Sequence, residues 1–470
     1  MNVTKRGVQL STLAVAMMLA ALHGRAGAAG FQLFVQNVSG LGNAYAGQAA
    51  SAEDASTTFY NAAGLTNLKG GQFVFSSPFV KPETKFSDAG SCAPYAGTGV
   101  GTTTCPFGQG GNLGHAFGGD GGDAGKLAWV PGAYVSYEVL SDRMWLGFGA
   151  SAPFGSRTEW NADWIGRFNA IESEIKTKNY NPTIAWKVND IVSLGAGVNR
   201  QFLHAHLNNA VSYRAVALST LSGPIVAGTP PGSEGVATVE GDDWGWGWDA
   251  GLRLRVAEAT FLGISYRSRV AYRVVGNVSF SDRPAALGVV PQVADGSAAA
   301  DIKLPDTLSL ALSHQLTRDV QLLGDVTWTR WSSIQDLTVV RTSGPLSGQI
   351  LTSTPLHLKN TWRAAAGANY QLSTGWKVRA GTAYDKAAAQ DEFRTPRLPD
   401  SDRVWFALGA QWKTAAPNLA VDVGYAYVLI KDATSRLPNQ DAPNSPPRGS
   451  LVGTYKASAQ IIGLQIAYSF

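Results

Sequence analysis

Six histidines, two cysteines and a set of arginines spaced two apart are the residues of this chain whose chemistry most needs explaining. The histidines are His23, His115, His204, His206, His314 and His357. Only "HAH" at 204–206 places two of them at a shared spacing, because alternate residues of a strand face the same way. Two imidazoles on one face could begin a metal site. A closed site needs further ligands, and none stands in a suitable context, so neither a metal nor a cofactor is expected. Cys92 and Cys105 lie in "SCAPYAGTGVGTTTCPFG". Two thiols so near each other in an exported chain read as a loop disulfide, and a metal pair is disfavoured because His115 stands alone. Acyl chemistry would call for a G-x-S-x-G elbow, which the sequence lacks. Its Gly-rich fragments have no strand-to-helix setting that would make them phosphate sites. No catalytic residues are expected, and the chain does not read as an enzyme.

The cations follow a different rule. Arg253, Arg255, Arg267, Arg269, Arg273, Arg363, Lys377, Arg379 and Arg403 recur on one face of alternating segments, with Asp249, Asp325 and Asp422 facing the same way. A buried network of ion pairs accounts for such a set. So does a subset that holds the carboxylate of a ligand through charge-assisted bonds, and Arg379 and Arg403 are the candidates for that role. Apolar side chains also stand where a solvated loop would not want them. Residues 151–170 carry Phe154, Trp160, Trp164, Ile165 and Phe168, and 208–242 contains "AVALSTLSGPIVAG". Greasy external loops suit capture of an apolar ligand and equally suit loops that close over a mouth.

The elements that must position these groups are strands. "WGWGWDAGLRLRV" puts Trp244, Trp246, Trp248, Ala250, Leu252, Leu254 and Val256 on one face against Gly245, Gly247, Asp249, Gly251, Arg253 and Arg255. Facing lipid, that first face forms a wall with an aromatic girdle near the headgroups. Tight turns at 140–143, 189–190, 257–259, 316–319, 372–375 and 414–417 alternate with long connections at about 86–126, 151–170, 208–242, 282–300, 341–356, 387–401 and 431–455. Seven long and six short connections imply fourteen strands, the even count and loop asymmetry of an outer-membrane barrel. The final strand places Gln460, Ile462, Leu464, Ile466, Tyr468 and Phe470 on one face, and the chain ends on that aromatic.

The opening "MNVTKRGVQLSTLAVAMMLAALHGRAGA" has a basic start, a short apolar run and Ala26-Gly27-Ala28, the pattern of an export signal cleaved after Ala28. Without Lys5, Arg6 and Arg25 the 38 basic residues fall to 35 against 34 acidic ones, a net charge of +1. That balance excludes a basic nucleic-acid surface. Beyond the signal no apolar run reaches the roughly 18 residues of a spanning helix. Residues 30–68, "GFQLFVQNVSGLGNAYAGQAASAEDASTTFYNAAGLTNL", alternate poorly and are rich in Gly, Ala and Asn.

With these residues in view the sequence resembles the FadL/TodX (OmpP1) family of outer-membrane transporters for long-chain fatty acids and other hydrophobic compounds. "AGFQLF…SGLGNAYAGQAASAEDASTTFYNAAGL", "APFGSRTEW…DWIGRF", "LPDTLSLAL", "GDVTWTRWSSIQDL" and "RTPRLPDSDRVWFALGAQW" carry the resemblance, in this order over nearly the whole mature chain. It implies an all-β, 14-stranded antiparallel transmembrane barrel spanning 72–470, after a signal peptide at 1–28 and an N-terminal hatch, 29–71, plugging the lumen. It also implies facilitated diffusion. Ligand is captured among external loops, passes to an internal pocket, and leaves sideways into the membrane once the hatch tip moves and the third strand kinks inward. Carried onto this chain, the tip is Phe31, Gln32, Leu33, Phe34 and Val35, and the loop groove is Phe154, Trp160, Trp164 and Phe168. Gly147 and Gly149 in "RMWLGFGAS" are natural places for the kink. Where the family has Asn-Pro-Ala this chain has Asn61-Ala62-Ala63, which frees φ and restores an N–H in the hatch turn. The implied partners are a hydrophobic ligand, outer-membrane lipid and lipopolysaccharide, and the barrel-assembly machinery through Phe470, with the protein a monomer in a Gram-negative outer membrane. An aromatic-hydrocarbon channel of the same fold and a non-selective porin are the alternatives.

Overall fold

Alternation between apolar and small or polar residues builds a wall whose lipid side is apolar, and the strands close on themselves. The computed structural model describes residues 30–92, 94, 118–414, 418–438 and 446–470. The expected signal peptide and Cys105 lie outside the described residues; Cys92, within them, is disulfide-bonded.

The strands are β1 (Gly71–Asp88), β2 (Gly132–Leu140, preceded by Ala128–Trp129), β3 (Met144–Ser151, resumed at Gly155–Glu159), β4 (Glu172–Lys187), β5 (Val192–Ser212) and β6 (Glu234–Ala257). Next come β7 (Thr260–Arg267, then Val270–Phe280), β8 (Gly296–Leu304, then Thr307–Gln315), β9 (Val320–Thr329, then Asp336–Arg341) and β10 (Ile350–Pro355, then Thr361–Gln371). The circuit ends with β11 (Trp376–Asp385), β12 (Arg403–Lys413), β13 (Leu419–Ile430, then Ala433–Leu437) and β14 (Leu451–Ser469). Each pairs antiparallel with its neighbours, and β1 pairs β14 from Gln72↔Ser469 to Asp88↔Gly453, closing a fourteen-stranded barrel without a free edge.

Outside, Trp244, Trp246 and Trp248 on β6 and Ile462, Leu464, Ile466, Tyr468 and Phe470 at the end of the chain are exposed, as alternation predicts for a lipid face. The wall stands taller than its hydropathy suggests. β5 continues to Ser212 and β6 starts at Glu234, so the expected 208–242 connection shrinks to 213–233, which holds two short helices, Tyr213–Ser219 and Gly223–Ala227. The upper ends of β8, β10 and β14 likewise run into segments read as loops.

One interruption reverses a face. Up to Arg267, odd-numbered residues of β7 point inward. The break at Ser268–Arg269 resets the phase, so beyond it Val270, Tyr272 and Val274 are buried. Arg269 and Arg273 are therefore exposed on the outer wall, where Arg273 lies 3.7 Å from Asp301, and they do not belong to the lumen set in which alternation placed them.

Residues 30–70 form no strand of the wall. They make short helical turns, including α-helical Gln48–Ser51 and Thr57–Tyr60 and 3-10 turns Leu41–Asn43 and Ala62–Asn67, and most of these residues are buried. Inward glycines of the wall seat them. A Cβ on Gly381 would come within 2.2 Å of Asn43 O, one on Gly263 within 1.9 Å of Ala49 O, and one on Gly409 within 2.7 Å of Gly42 Cα. Close backbone approach of this kind is what glycine inside a strand marks.

Candidate ligand-binding site

The first described residues sit against an imperfection in the wall. β2 and β3 pair up to Ala133↔Ala150. β3 then loses regular form over Ala152–Phe154 before resuming, and its register against β4 slips by one residue there, from Ser151↔Asn179 to Gly155↔Lys176. The amino-terminal tip fills the gap from inside. Leu33 N donates to Pro153 O at 2.8 Å, Gly155 N donates to Phe31 O at 3.0 Å, and Gln32 stands opposite Phe154 as an antiparallel bridge. Gln36 completes the seam: its amide donates to Ala152 O and its carbonyl accepts from Ala152 N. The interruption thus lies beyond Gly147 and Gly149, which remain in unbroken register with both β2 and β4. Their missing side chains leave room for the tight packing of Thr58, Leu65 and Tyr134. The interruption follows from the lost β2 partner and Pro153, which has no N–H to give to a ladder.

Aromatic packing holds the tip. Phe31 meets Trp331 at 5.0 Å and Phe154 at 6.0 Å between ring centroids, both edge-on. Such pairs add about 0.5–1.5 kcal/mol each beyond burial. Val35 is buried in a cluster with Tyr45, Trp405 and Ile461, and Phe34 packs against it. Tyr60 donates its hydroxyl to Phe34 O.

Behind the tip lies a small, partly open cavity lined by Gln32, Leu33, Phe34, Tyr45, Phe59, Tyr60, Phe154, Arg267, Asp325 and Arg363 among others. Its character is aromatic with a few convergent polar groups, the usual make-up of a small-molecule site. Arg363 is buried beneath the Phe34 ring at 4.8 Å, 3.8 Å from Asp325, and donates to Ala44 O. Its Nε and Nη1 have no hydrogen-bond partner among the described residues. Arg267 lies over Phe59 and donates to Phe59 O. A second, more apolar pocket lies higher, lined by Val239, Val274, Ile302, Leu337 and Val339 with several alanines.

The three anions read from the sequence each face a guanidinium: Asp249 is 3.9 Å from Arg267, Asp325 is 3.8 Å from Arg363, and Asp422 is 2.7 Å from Arg379. The two arginines chosen for a ligand carboxylate are engaged elsewhere. Arg379 donates to Asp422 at one end and to Glu53 of the amino-terminal segment at the other. Arg403 donates to Gly30 O and Asp400. The guanidiniums that line the cavity are Arg267 and Arg363, and sequence alternation could place them on the inner face without showing which were covered by residues 30–70. Glu53 shows what that cover does. Burial alone would raise its carboxyl, but the Arg379 and Lys377 charges beside it prevail and hold it down at about 2.

Of the loop aromatics only Phe154 reaches the cavity. Trp160 and Trp164 stack at 4.3 Å and pack with Phe86, Ile165, Tyr455 and Leu451 in a buried cap, and Phe168 is buried under Arg167. They close the mouth upon itself. His204 and His206 share the outer face of β5, with Glu240 or Glu172 at 3.6–3.8 Å. In the altered turn Asn61 is the N-cap: its carbonyl oxygen accepts from Ala63 N, while its amide donates to Ala49 O and across to Leu252 O of β6. Ala62 takes the first helical position, where an N–H needs no intrahelical partner, so the turn is tied by Asn61 with or without a proline.

A family model described as outer membrane protein transport protein (OMPP1/FadL/TodX) matches residues 19–470. Outer membrane protein P1 of Haemophilus influenzae is 31% identical over 98% of this chain and 99% of its own. The long-chain fatty acid transport protein of Salmonella typhi is 26% identical over 88% of this chain and 91% of its own. The crystal structure of a Pseudomonas aeruginosa FadL homologue superposes with a TM-score of 0.81 at 27% identity, covering 94% of this chain and 100% of that one. A closed barrel with an apolar outer wall, matched end to end by these relatives, places the chain in the outer membrane and in the OMPP1/FadL/TodX family of transport proteins.

Proposed function

We propose that this protein admits long-chain fatty acids, or compounds of similar hydrophobicity, across the outer membrane by facilitated diffusion, with residues 29–71 as a hatch. The observation that carries the reading is the aromatic cavity whose wall is the tip Leu33–Phe34, docked on the interrupted third strand. An apolar molecule taken into the upper apolar cavity lowers its free energy by about 25 cal/mol for each Å² of apolar surface removed from water. Moving down, it competes with Leu33 and Phe34 for the same aromatic surface, and the tip gives way at two backbone hydrogen bonds, the Gln36 seam and the Phe31–Phe154 contact that tie it to β3. The gap left between β2 and β3 opens toward lipid, so the ligand need never cross a water-filled channel. A carboxylate head would rest on Arg363, whose Nε and Nη1 have no hydrogen-bond partner among the described residues, with Arg267 nearby. Processing after Ala28, assembly through Phe470, contact with lipopolysaccharide and a monomeric state complete the proposal.

Uptake of labelled oleate and labelled toluene in a strain deleted for the gene, with and without the gene restored, tests it. Restored uptake of either compound is expected. If the gene changes neither, the transport assignment fails, and if it admits polar solutes equally, it is a porin.

A further inference from the structure

Charges on the lipid side of the wall change character with height. The outward residues of β6 from Val256 up to Trp246 are apolar. At about 3.3 Å per residue and a tilt of about 40° that stretch climbs roughly 25 Å, the height of an apolar band. Arg200 of β5 stands opposite Trp246, and Lys178 of β4 stands opposite Phe202, which faces Trp244 one row higher. Arg269, just after the break in β7, is exposed beside Gly247. The three cations therefore lie at the upper rim of the band, the depth of lipid headgroups. Around them outward charges pair with one another: Lys176 is 2.8 Å from Glu174, Arg157 is 2.9 Å from Glu159, and Arg273 is 3.7 Å from Asp301. Lys178, Arg200 and Arg269 form no ion pair among the described residues. Nearby carboxylates are engaged elsewhere, Asp243 by the Arg273 amide at 2.8 Å and Asp306 by Arg330 at 3.6 Å and the Tyr266 hydroxyl. Asp242, the first outward carboxylate above Trp244 on β6, stands opposite His204.

Aromatic rings fix the rim cations in place. The Arg200 guanidinium lies 5.0 Å from the Trp244 ring centroid and 4.7 Å from that of Trp246, and its Nη1 donates to Trp244 O at 3.2 Å. Lys178 Nζ lies 5.9 Å from the Phe202 ring. A guanidinium stacked in this way is already oriented, and its planar fork matches two oxygens of a phosphate. Phe148, Tyr180, Trp244 and Phe202 continue the surface as a shelf, with successive centroids 6.4, 6.1 and 5.2 Å apart. Flat aromatic faces of this kind pack against the C–H side of a sugar ring. We propose that Lys178, Arg200, Arg269 and the shelf bind the phosphorylated sugar headgroup of an outer-leaflet glycolipid, with phosphate on the cations and sugar on the rings. Anionic headgroups attract lysine and arginine at a membrane surface, and here they supply the counter-charge that the wall does not. The inference rests on the outer-membrane setting and on the lipopolysaccharide contact proposed above, to which it gives a place, and not on the transported compound.

Native mass spectrometry of the folded, detergent-solubilised and delipidated protein, titrated with bis-phosphorylated lipid A, with the same lipid dephosphorylated and with inorganic phosphate, tests it. Wild type should bind the phosphorylated lipid at least about ten-fold more tightly than the dephosphorylated one. At about five-fold for each cation at a headgroup surface, K178Q combined with R269Q should weaken the phosphorylated lipid about 25-fold and change the other less than about two-fold. Both side chains are exposed, so the variant should keep the heat-shifted gel mobility of an assembled barrel. K413Q, at the short-turn end of β12, should match wild type. Equal binding of the two lipids by wild type, a preference that survives in the double variant, or an equal loss in K413Q would overturn the proposal. Displacement of the lipid by an equal concentration of inorganic phosphate would overturn its assignment to a lipid. Oleate uptake that fails while lipid binding stands would count against the transport reading alone.

Discussion

At the scale of single residues the chemistry is carried by guanidiniums, and what distinguishes them is which partner each already has. Arg379 is spent on Glu53 and Asp422, whereas Arg363 lines the cavity with its Nε and Nη1 free of hydrogen bonds among the described residues. Arg363→Gln should therefore lower oleate uptake about ten-fold, the worth of one charge-assisted hydrogen bond, and change toluene uptake less than about two-fold. Equal loss of both would make Arg363 a structural support only. Glu53 gives a pH signature. Its folded carboxyl is lowered to about 2, below the ordinary value of 4.5, so the stability it lends the amino-terminal segment is complete above that ordinary value and is lost as the pH falls toward 2. Hydrogen exchange at residues 48–60 should accelerate over that window in the wild type. In Glu53→Gln exchange should be fast already at neutral pH and change little on acidification.

At the scale of elements, the inward glycines set how closely the amino-terminal segment meets the wall. Gly381→Val would drive a side chain into the Asn43 backbone, whose carbonyl oxygen lies 2.2 Å from the first added carbon. The barrel should still assemble, because the outer face of β11 is untouched, but the segment should lift and planar-bilayer conductance should rise above that of the closed wild type. Unchanged conductance would mean the seat is not what keeps the lumen shut. The strands themselves were legible because lipid on one side and a filled interior on the other impose a period of two on each of them. The breaks were not. At Ser268–Arg269 and Ala152–Phe154 the ladder yields to what packs behind it, which no local pattern encodes, and so Arg269 and Arg273 were placed on the wrong face and the interruption of the third strand was not foreseen. The tip residues Phe31 to Val35 were named from the resemblance to the family and not from any pattern of their own. The cavity arginines were found only as members of a face, since their selection depends on which inward side chains residues 30–70 leave uncovered.

At the scale of the whole molecule, a closed wall, a filled interior and one weak seam divide the labour. The wall supplies stability through continuous pairing, with β1 on β14 completing the circle. The segment is held at residues 48–67 by Glu53 and Asn61, and at its tip by aromatic packing and the hydrogen bonds beside the β2–β3 gap. Opposed Gln32 and Phe154 form a pair flanked by the two tip hydrogen bonds, the antiparallel position at which Cα atoms approach to about 4.5 Å, within reach of a disulfide. The direct test is to measure labelled oleate uptake by cells carrying Q32C together with F154C, oxidised and then reduced, beside wild type treated identically. Comparing one variant with itself cancels the loss of Phe154. The tip as moving part predicts that oxidation abolishes uptake and reduction restores it, with wild type unaffected; uptake that continues at the reduced rate while the disulfide is intact would contradict it.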